Sequence, residues 1–224
     1  MSLKVISYNF DNNRDGERLV HSCAAYGYNM SWVGQGQGFK NFRQAKLDLL
    51  LEELMKVEED YVMFTDGLDS WFLRDDAMKV FKTFKSPVVV SGNRDHYPVT
   101  DIYKVEEFPE APTSFRFICS SQFMGETQQV INTIRIIQGT YGGFTDQEGW
   151  NMCVVRGTIP AVIDYKCKLF LNMTGVKPEE LDDNFKLKET KIVPVSIHFG
   201  GPKGGDPNAL NMVKFYEKWR TQHE

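Results

Sequence analysis

Cysteine is scarce: Cys23, Cys119, Cys153 and Cys167 are the four in 224 residues, and no two of them form a CxxC pair. That scatter argues against a disulfide framework and against a zinc ribbon. No apolar run reaches the length of a membrane span. The opening Met1-Ser2-Leu3-Lys4-Val5-Ile6-Ser7-Tyr8 holds too short an apolar stretch for a secretory signal. A reducing, cytoplasmic location is the expectation. There is no internal repeat and no low-complexity segment. The net charge of −4 offers no whole-protein field for nucleic acid or an anionic membrane.

What is present is an ordinary globular composition, 42% hydrophobic and 25% charged, long enough to bury one sizeable core over residues 1–224. Leu3 to Tyr8 reads as a buried first strand ending at polar Asn9. Helices are expected over Asp15 to Tyr26, Phe42 to Val57, Asp76 to Phe84, Thr127 to Gln138, Asp146 to Val155 and Asn208 to Arg220. In the second of these, Leu47, Leu50, Leu51 and Leu54 fall at helical spacing. Short apolar strands are expected at Tyr61 to Phe64, Pro87 to Ser91, Arg116 to Cys119, Ala161 to Ile163, Leu169 to Leu171 and Val193 to His198. Glycines break the chain at 34–38, 142–143 and 200–205. Strand and helix alternate through the first half, which predicts an α/β layer fold with a parallel sheet.

In such a sheet ligands bind beyond the carboxyl ends of the strands. Asp66 and Asp69 lie at one such end, three residues apart on a turn that Gly67 permits. Two carboxylates so placed can face one hard divalent cation and leave positions open for a diphosphate; equally, they read as polar loop residues or a helix cap. His198 also ends a predicted strand, and imidazole suits manganese-class metals. The glycines after it let backbone N–H groups approach an anion, with Lys203 adding charge, although Gly200 to Gly205 is not a Walker motif. Lys46, near the start of its helix, reads by itself as a solvated lysine within reach of a phosphate. Asp146 stands at a helix start, either as part of an N-cap with Thr145 or as a carboxylate that orients or activates an acceptor. Asp164, set among apolar residues, needs partners if ionised.

The order of these motifs resembles the glycosyltransferase domain of procollagen lysyl hydroxylases and related collagen-type transferases. Phe64-Thr65-Asp66-Gly67-Leu68-Asp69 is similar to the family's metal motif, and Lys46-Leu47-Asp48-Leu49-Leu50 to its lysine-led helix. Val89 to Asn93 with Tyr97-Pro98, Cys119 to Gly125, Thr145-Asp146-Gln147, Ile163 to Lys166 with Phe170 to Asn172, and His198 to Lys203 follow in the family's order. The resemblance implies a GT-A fold, Rossmann-like, with a mixed, mostly parallel sheet flanked by helices. It implies Mn²⁺ (or Mg²⁺) on Asp66, Asp69 and His198, with a UDP-sugar, UDP-glucose or UDP-galactose, as donor. Ser7, Lys46, Leu68, Gly200, Gly201 and Lys203 become the expected donor-binding residues, and Asp146 the expected catalytic carboxylate, with Asp95 and Asp101 as alternatives. The acceptor hydroxyl belongs to a glycan, a protein or a small molecule; no nucleic acid and no membrane span enter.

The departures from the family lie at the ligands. Leu68 stands where the family has a tyrosine that stacks on uracil. Gly200 replaces an asparagine, and the lysine lies one residue closer to the histidine. Cys119, Ser121 and Gln122 replace Asn, Gly and Gly on the acceptor side. Two other readings remain at this point: a non-catalytic nucleotide-sugar or glycan-binding module, and a haloacid-dehalogenase-type phosphatase, whose Asp-x-Asp spacing the Asp66/Asp69 pair does not match.

Overall fold

The computed structural model describes residues 1–10, 16–36, 42–141, 145–200 and 207–223. The expected glycine break at 142–143 and the run at 201–205 therefore lie outside the described residues. In chain order the elements are β1 (Leu3–Tyr8), α1 (Glu17–Tyr26), β2 (Asn29–Val33), α2 (Phe42–Leu54), β3 (Tyr61–Thr65), β4 (Ser70–Phe72), α3 (Ala77–Phe81) and β5 (Val88–Asn93). There follow β6 (Phe117–Glu126), α4 (Thr127–Tyr141), α5 (Asp146–Val155), β7 (Ala161–Asp164), β8 (Phe170–Asn172), β9 (Ser196–His198) and α6 (Pro207–His223).

Six strands form the main sheet in the order β2-β1-β3-β6-β5-β7, and β4-β9-β8 form a smaller one. In the main sheet only β6 runs against its neighbours; β2, β1 and β3 are parallel, as are β5 and β7. This is the mixed, mostly parallel α/β sheet predicted from the sequence. The strands are buried on both faces, so they read as apolar runs rather than as alternation. The pleat still sorts them. Ile6, Val62, Phe64, Val88, Val90 and Phe123 join the core beneath α2, α4 and α5. Val5, Met63, Val89 and Met124 face the other way, with Leu19 and Cys23 of α1 and Ala77 and Val80 of α3. The small sheet closes a third core with Tyr216 and Trp219 of α6.

Local chemistry explains several boundaries. Gly27 ends α1 in the left-handed conformation at φ 72°, and Tyr28 N–H then reaches back to the Cys23 carbonyl at 2.8 Å. At the start of α5, Thr145 accepts from Glu148 N–H while Glu148 accepts from Thr145 N–H, a reciprocal cap. Buried Asp164 accepts from the N–H groups of Lys168, Leu169 and Phe170 at 3.0, 2.7 and 3.1 Å, so it organises the β7–β8 turn. Burial pushes its carboxyl up to about 6, against the pull of those N–H groups. All four cysteines are buried and free.

Several elements differ from expectation. β2 and β4 were not anticipated: β2 is half-buried at the sheet edge, and β4 is three residues long and exists through its distant partner β9. α2 stops at Leu54 rather than Val57, and β9 is confined to Ser196–His198. β6 runs on from the expected end at Cys119 to Glu126. Its continuation is masked by Ser120-Ser121-Gln122, polar residues inside a strand. Gln122 is fully buried all the same, because its amide donates to Thr65 Oγ1 at 3.0 Å and Ser196 Oγ at 2.8 Å.

Candidate functional site

Parallel pairing brings the carboxyl ends of β1 and β3 to one edge of the sheet, and β5, antiparallel to β6 as β3 is, ends there too. Because β6 is antiparallel, its middle lies at that same edge: Thr65 pairs with Gln122, and Asp66 N–H donates to the Ser121 carbonyl at 2.9 Å. The small sheet abuts this edge. Ser70 and Asn172 both pair with His198, and Phe199 N–H donates to the Asp69 carbonyl at 2.9 Å. The first turns of α2 and α5 complete the ring with Lys46 and Asp146. The result is a cavity of about 480 Å³ lined by Lys46, Asp66, Asp69, Asn93, Tyr97, Cys119, Ser120, Ser121, Asp146, Gln147, Asn172, Thr174, His198 and Gly200.

Lys46, which pattern alone would leave in solvent, is 6% exposed. Its Nζ lies 2.9 Å from Asp146 Oδ2 and 3.4 Å from Asp66 Oδ1. Tyr8 fixes the start of this helix by donating its hydroxyl to the Lys46 carbonyl. Ser120 Oγ donates to the same Asp146 oxygen at 3.0 Å. Burial pushes the Asp146 carboxyl up, but Lys46, Ser120 and the Gln147 N–H outweigh it, and the net shift is downward. Asp66 moves the other way: burial leads, Lys46 opposes it, and nearby Asp69 helps keep it raised. The two carboxylates facing one lysine are thus driven apart.

His198 is 2% exposed, with Nε2 3.4 Å from Asp69 Oδ1 and Nδ1 4.0 Å from Cys119 Sγ. Burial lowers its pKa, yet the Asp69 charge and hydrogen bond outweigh burial and hold it well above the usual imidazole range. Asp69 therefore meets His198 while Asp66 meets Lys46. Among the described residues no group of three or more His, Cys, Asp or Glu side chains is drawn together closely enough to hold a metal ion.

The remaining expected residues are placed as follows. Ser7 is fully buried beneath Gly67 and donates to the Thr65 carbonyl at 2.6 Å. Leu68 is half-buried, its carbonyl held by Arg18 Nη1 at 3.2 Å. Gly200 sits at the cavity rim with φ 42°, and a Cβ there would overlap Thr174 Oγ1. The asparagine of the family motif does not fit while Thr174 fills that space, its hydroxyl bound to Asn172 Oδ1 at 3.0 Å. Gly201 and Lys203 lie outside the described residues. Of the three acceptor-side carboxylates, Asp146 lines the cavity, while Asp95 and Asp101 are exposed and do not. Cys119 and Ser121 line it too, but Gln122 is locked into the sheet.

Sequence reasoning gave no role to several lining residues, although Gln147 and Asn172 stand in the quoted motifs. Gln147 accepts from Ser120 N–H at 2.8 Å and donates to the Ile118 carbonyl and Asn151. Asn151 in turn donates to the Tyr97 carbonyl at 2.9 Å. One signal could have found Gln147: it follows Asp146 in a helix's first turn, where a polar side chain faces the same loop.

The fold is similar to a solved structure of a glycosyltransferase involved in the glycosylation of the major capsid of PBCV-1. The two agree with a TM-score of 0.60 over 97% of this chain and 99% of that one, at 11% sequence identity. Identity this low carries the fold alone. No curated protein matches the sequence. The family model described as the PLOD GT domain matches residues 2–221, so the chain belongs to that glycosyltransferase family.

Proposed function

We propose that the cavity binds a nucleotide-sugar, a UDP-hexose such as UDP-glucose or UDP-galactose, with Mn²⁺ or Mg²⁺, and passes the hexosyl group to an acceptor hydroxyl. The observation that carries this reading is the charge balance of the lining. Three carboxylates, Asp66, Asp69 and Asp146, face one lysine and one histidine. Even with His198 protonated the formal sum is −1, and a diphosphate adds further negative charge. Repulsion at these distances in a partly buried cleft costs several kcal/mol unless a cation accompanies the ligand. Hard carboxylate oxygens and an imidazole suit a manganese-class ion, so the residues present fit the group by donor type, and they would draw closer together to hold it.

Asp66, Asp69 and His198 would hold that ion. When bound, it supplies positive charge against the diphosphate that departs from the sugar. To hold the ion His198 would have to be neutral at the nitrogen that faces it, and would give up the proton that Asp69 otherwise favours. Lys46 holds Asp146 in place and adds a second positive charge near the diphosphate; Lys203 and the backbone at Gly200 and Gly201 belong to the same donor set. Asp146, kept ionised, accepts the acceptor hydroxyl's hydrogen bond and orients its oxygen. The acceptor is a glycan, a protein or a small molecule that reaches the cavity past Tyr97 and Cys119.

The test is a thermal-shift screen of nucleotide-sugars with and without Mn²⁺, followed by donor-turnover assays. Binding to the native state raises the midpoint by mass action. UDP-hexoses should stabilise the protein only with the ion, and chelator or Asp69→Ala should abolish turnover. His198→Ala should cost less, because both carboxylates stay. Turnover that ignores chelator would overturn the metal reading. Tight donor binding with neither transfer nor hydrolysis would instead make the chain a binding module.

A further inference from the structure

We infer that the Trp32 indole is the platform on which the donor's nucleobase stacks. This rests on the nucleotide-sugar reading above and adds to it a residue that the Asp66–Asp69 motif does not contain.

Three observations converge. Trp32 is in register with Ser7 on the neighbouring parallel strand, at the carboxyl ends where an open α/β sheet receives its ligand. It is also the one tryptophan that keeps surface: Trp71, Trp150 and Trp219 are 0%, 1% and 3% exposed, while Trp32 is partly exposed. Finally, its ring edge lies against two glycines. A Cβ on Gly67 would overlap the ring, and one on Gly16 would come within 3.0 Å of Cη2 and 3.1 Å of Cζ2. Gly16 has φ −62°, and Gly67 is not among the positive-φ glycines, so neither needs to be glycine for its backbone. The space they leave is taken by the indole, together with Ser7 Oγ at Gly67 and Asn9 Nδ2 at Gly16.

The location fits a base. Gly67 separates Asp66 from Leu68, so the ring stands beside the loop that carries Asp66 and Asp69. In the sheet order, β2 lies on one side of β3 and β5, which leads to Tyr97, on the other. A nucleotide whose diphosphate sits at Asp66 can therefore extend its base toward Trp32 while its sugar enters the cavity. Arg18, holding the Leu68 carbonyl, fixes the loop next to the indole.

The experiment compares a ligand that has a base with one that lacks it. UDP and inorganic diphosphate are titrated with Mn²⁺ into the parent, Trp32→Phe and Trp32→Ala, by calorimetry and by tryptophan fluorescence. Melting temperatures check that each variant folds. UDP should quench the parent's fluorescence. Trp32→Ala should bind UDP about tenfold or more weakly, the scale of one lost base–aromatic stack, with diphosphate affinity unchanged. Trp32→Phe, which still fills the slot between the glycines, should keep UDP affinity within about threefold and lose the fluorescence signal. Equal UDP affinity in the parent and Trp32→Ala would overturn the inference. So would parallel losses for UDP and diphosphate, the mark of a purely structural ring, or a parent that binds UDP no better than diphosphate. A parent that binds neither ligand would bring down the donor reading itself.

Discussion

Two clusters in this molecule set one cation between two carboxylates. Lys46 stands between Asp66 and Asp146 at the cavity, and Arg94 stands between Glu180 and Glu189 at the protein's flank. Arg94 uses its planar fork: Nη1 and Nη2 meet the two Glu180 oxygens at 2.9 and 2.7 Å, and Nη2 also meets Glu189 at 2.9 Å. Both of its carboxyls are lowered. Arg94 brings Glu180 down to about 2, and for Glu189 the Ser114 and Arg94 hydrogen bonds outweigh burial. Lys46 is a point charge with no such fork, and its two partners shift in opposite directions, Asp66 up and Asp146 down. The flank cluster is electrostatically satisfied and fastens the 175–189 segment to the loop after β5. Both clusters have the same formal charge, but the cavity one is more buried and burial raises Asp66, the kind of perturbation expected at a ligand site.

The largest expected effect comes from breaking the cavity cluster. Lys46→Met leaves two mostly buried carboxylates without that ammonium. Removing one member of a buried pair costs about 3–5 kcal/mol, and the lower end applies because Asp66 and Asp146 keep 28% and 18% side-chain exposure. Urea denaturation at pH 7 should show this loss. It should shrink as the pH falls and the carboxyls take up protons, and Lys46→Met/Asp146→Asn should recover part of it. Donor affinity should drop by about one to two decades, the worth of a charge-assisted contact. A variant as stable as the parent at pH 7 would mean that solvent already satisfies the cluster.

A smaller effect is expected at the flank. Arg94→Lys keeps the charge but not the fork, and it gives up the bonds to Ser114 Oγ and the Gly175 carbonyl. The loss should be about 1–2 kcal/mol with donor turnover unchanged. Turnover that falls in step with stability would tie the flank to the site and erase the contrast.

How far the sequence foretold all this differs by region, for physical reasons. β1 and α5 fall at their expected residues because a buried apolar run and a reciprocal cap are local signals. β4 and β9 are three residues each and owe their existence to each other across the chain, so no local pattern announces the full small sheet. β6 was cut short because Gln122 is buried and polar, and its partners Thr65 and Ser196 are distant in sequence. The site divides in the same way. Asp66, Asp69, His198 and Asp146 were named from motif order, and all line one cavity. The pairing of Lys46 with Asp66 and Asp146 was not foreseen, because it depends on how two helix starts meet above the sheet. Nor was the space that Thr174 takes from Gly200, a constraint between loops that no spacing rule contains.

The smallest expected effect is the most specific to the comparison, and it concerns Glu180. Its carboxyl is held at about 2, down from an ordinary 4.5, chiefly by the Arg94 hydrogen bonds. A carboxyl with a lowered folded-state pKa contributes stability that is fully present above the ordinary value and is lost as pH falls toward the folded one. The window is therefore about 4.5 down to about 2. Glu180 is partly exposed, so screening reduces the contribution to about 1 kcal/mol, the scale of a good surface pair. Glu180→Gln keeps a carbonyl oxygen that can accept from Lys177 N–H, which now donates to Glu180 Oε1 at 2.9 Å, and it removes the charge together with the Oε2 that accepts from Arg94 Nη2. At pH 7 this variant should be less stable than the parent by about that 1 kcal/mol. The gap should close as urea titrations are repeated at lower pH through the same window, because the parent's carboxyl becomes neutral as well. The deficit of Lys46→Met shrinks in the same direction but for a different cause: unpaired carboxylates are relieved by protons, whereas at Glu180 a paired carboxylate of the parent is lost. A Glu180→Gln gap that stays constant with pH would show that the fork acts through shape alone, and the two clusters would then differ in geometry but not in charge.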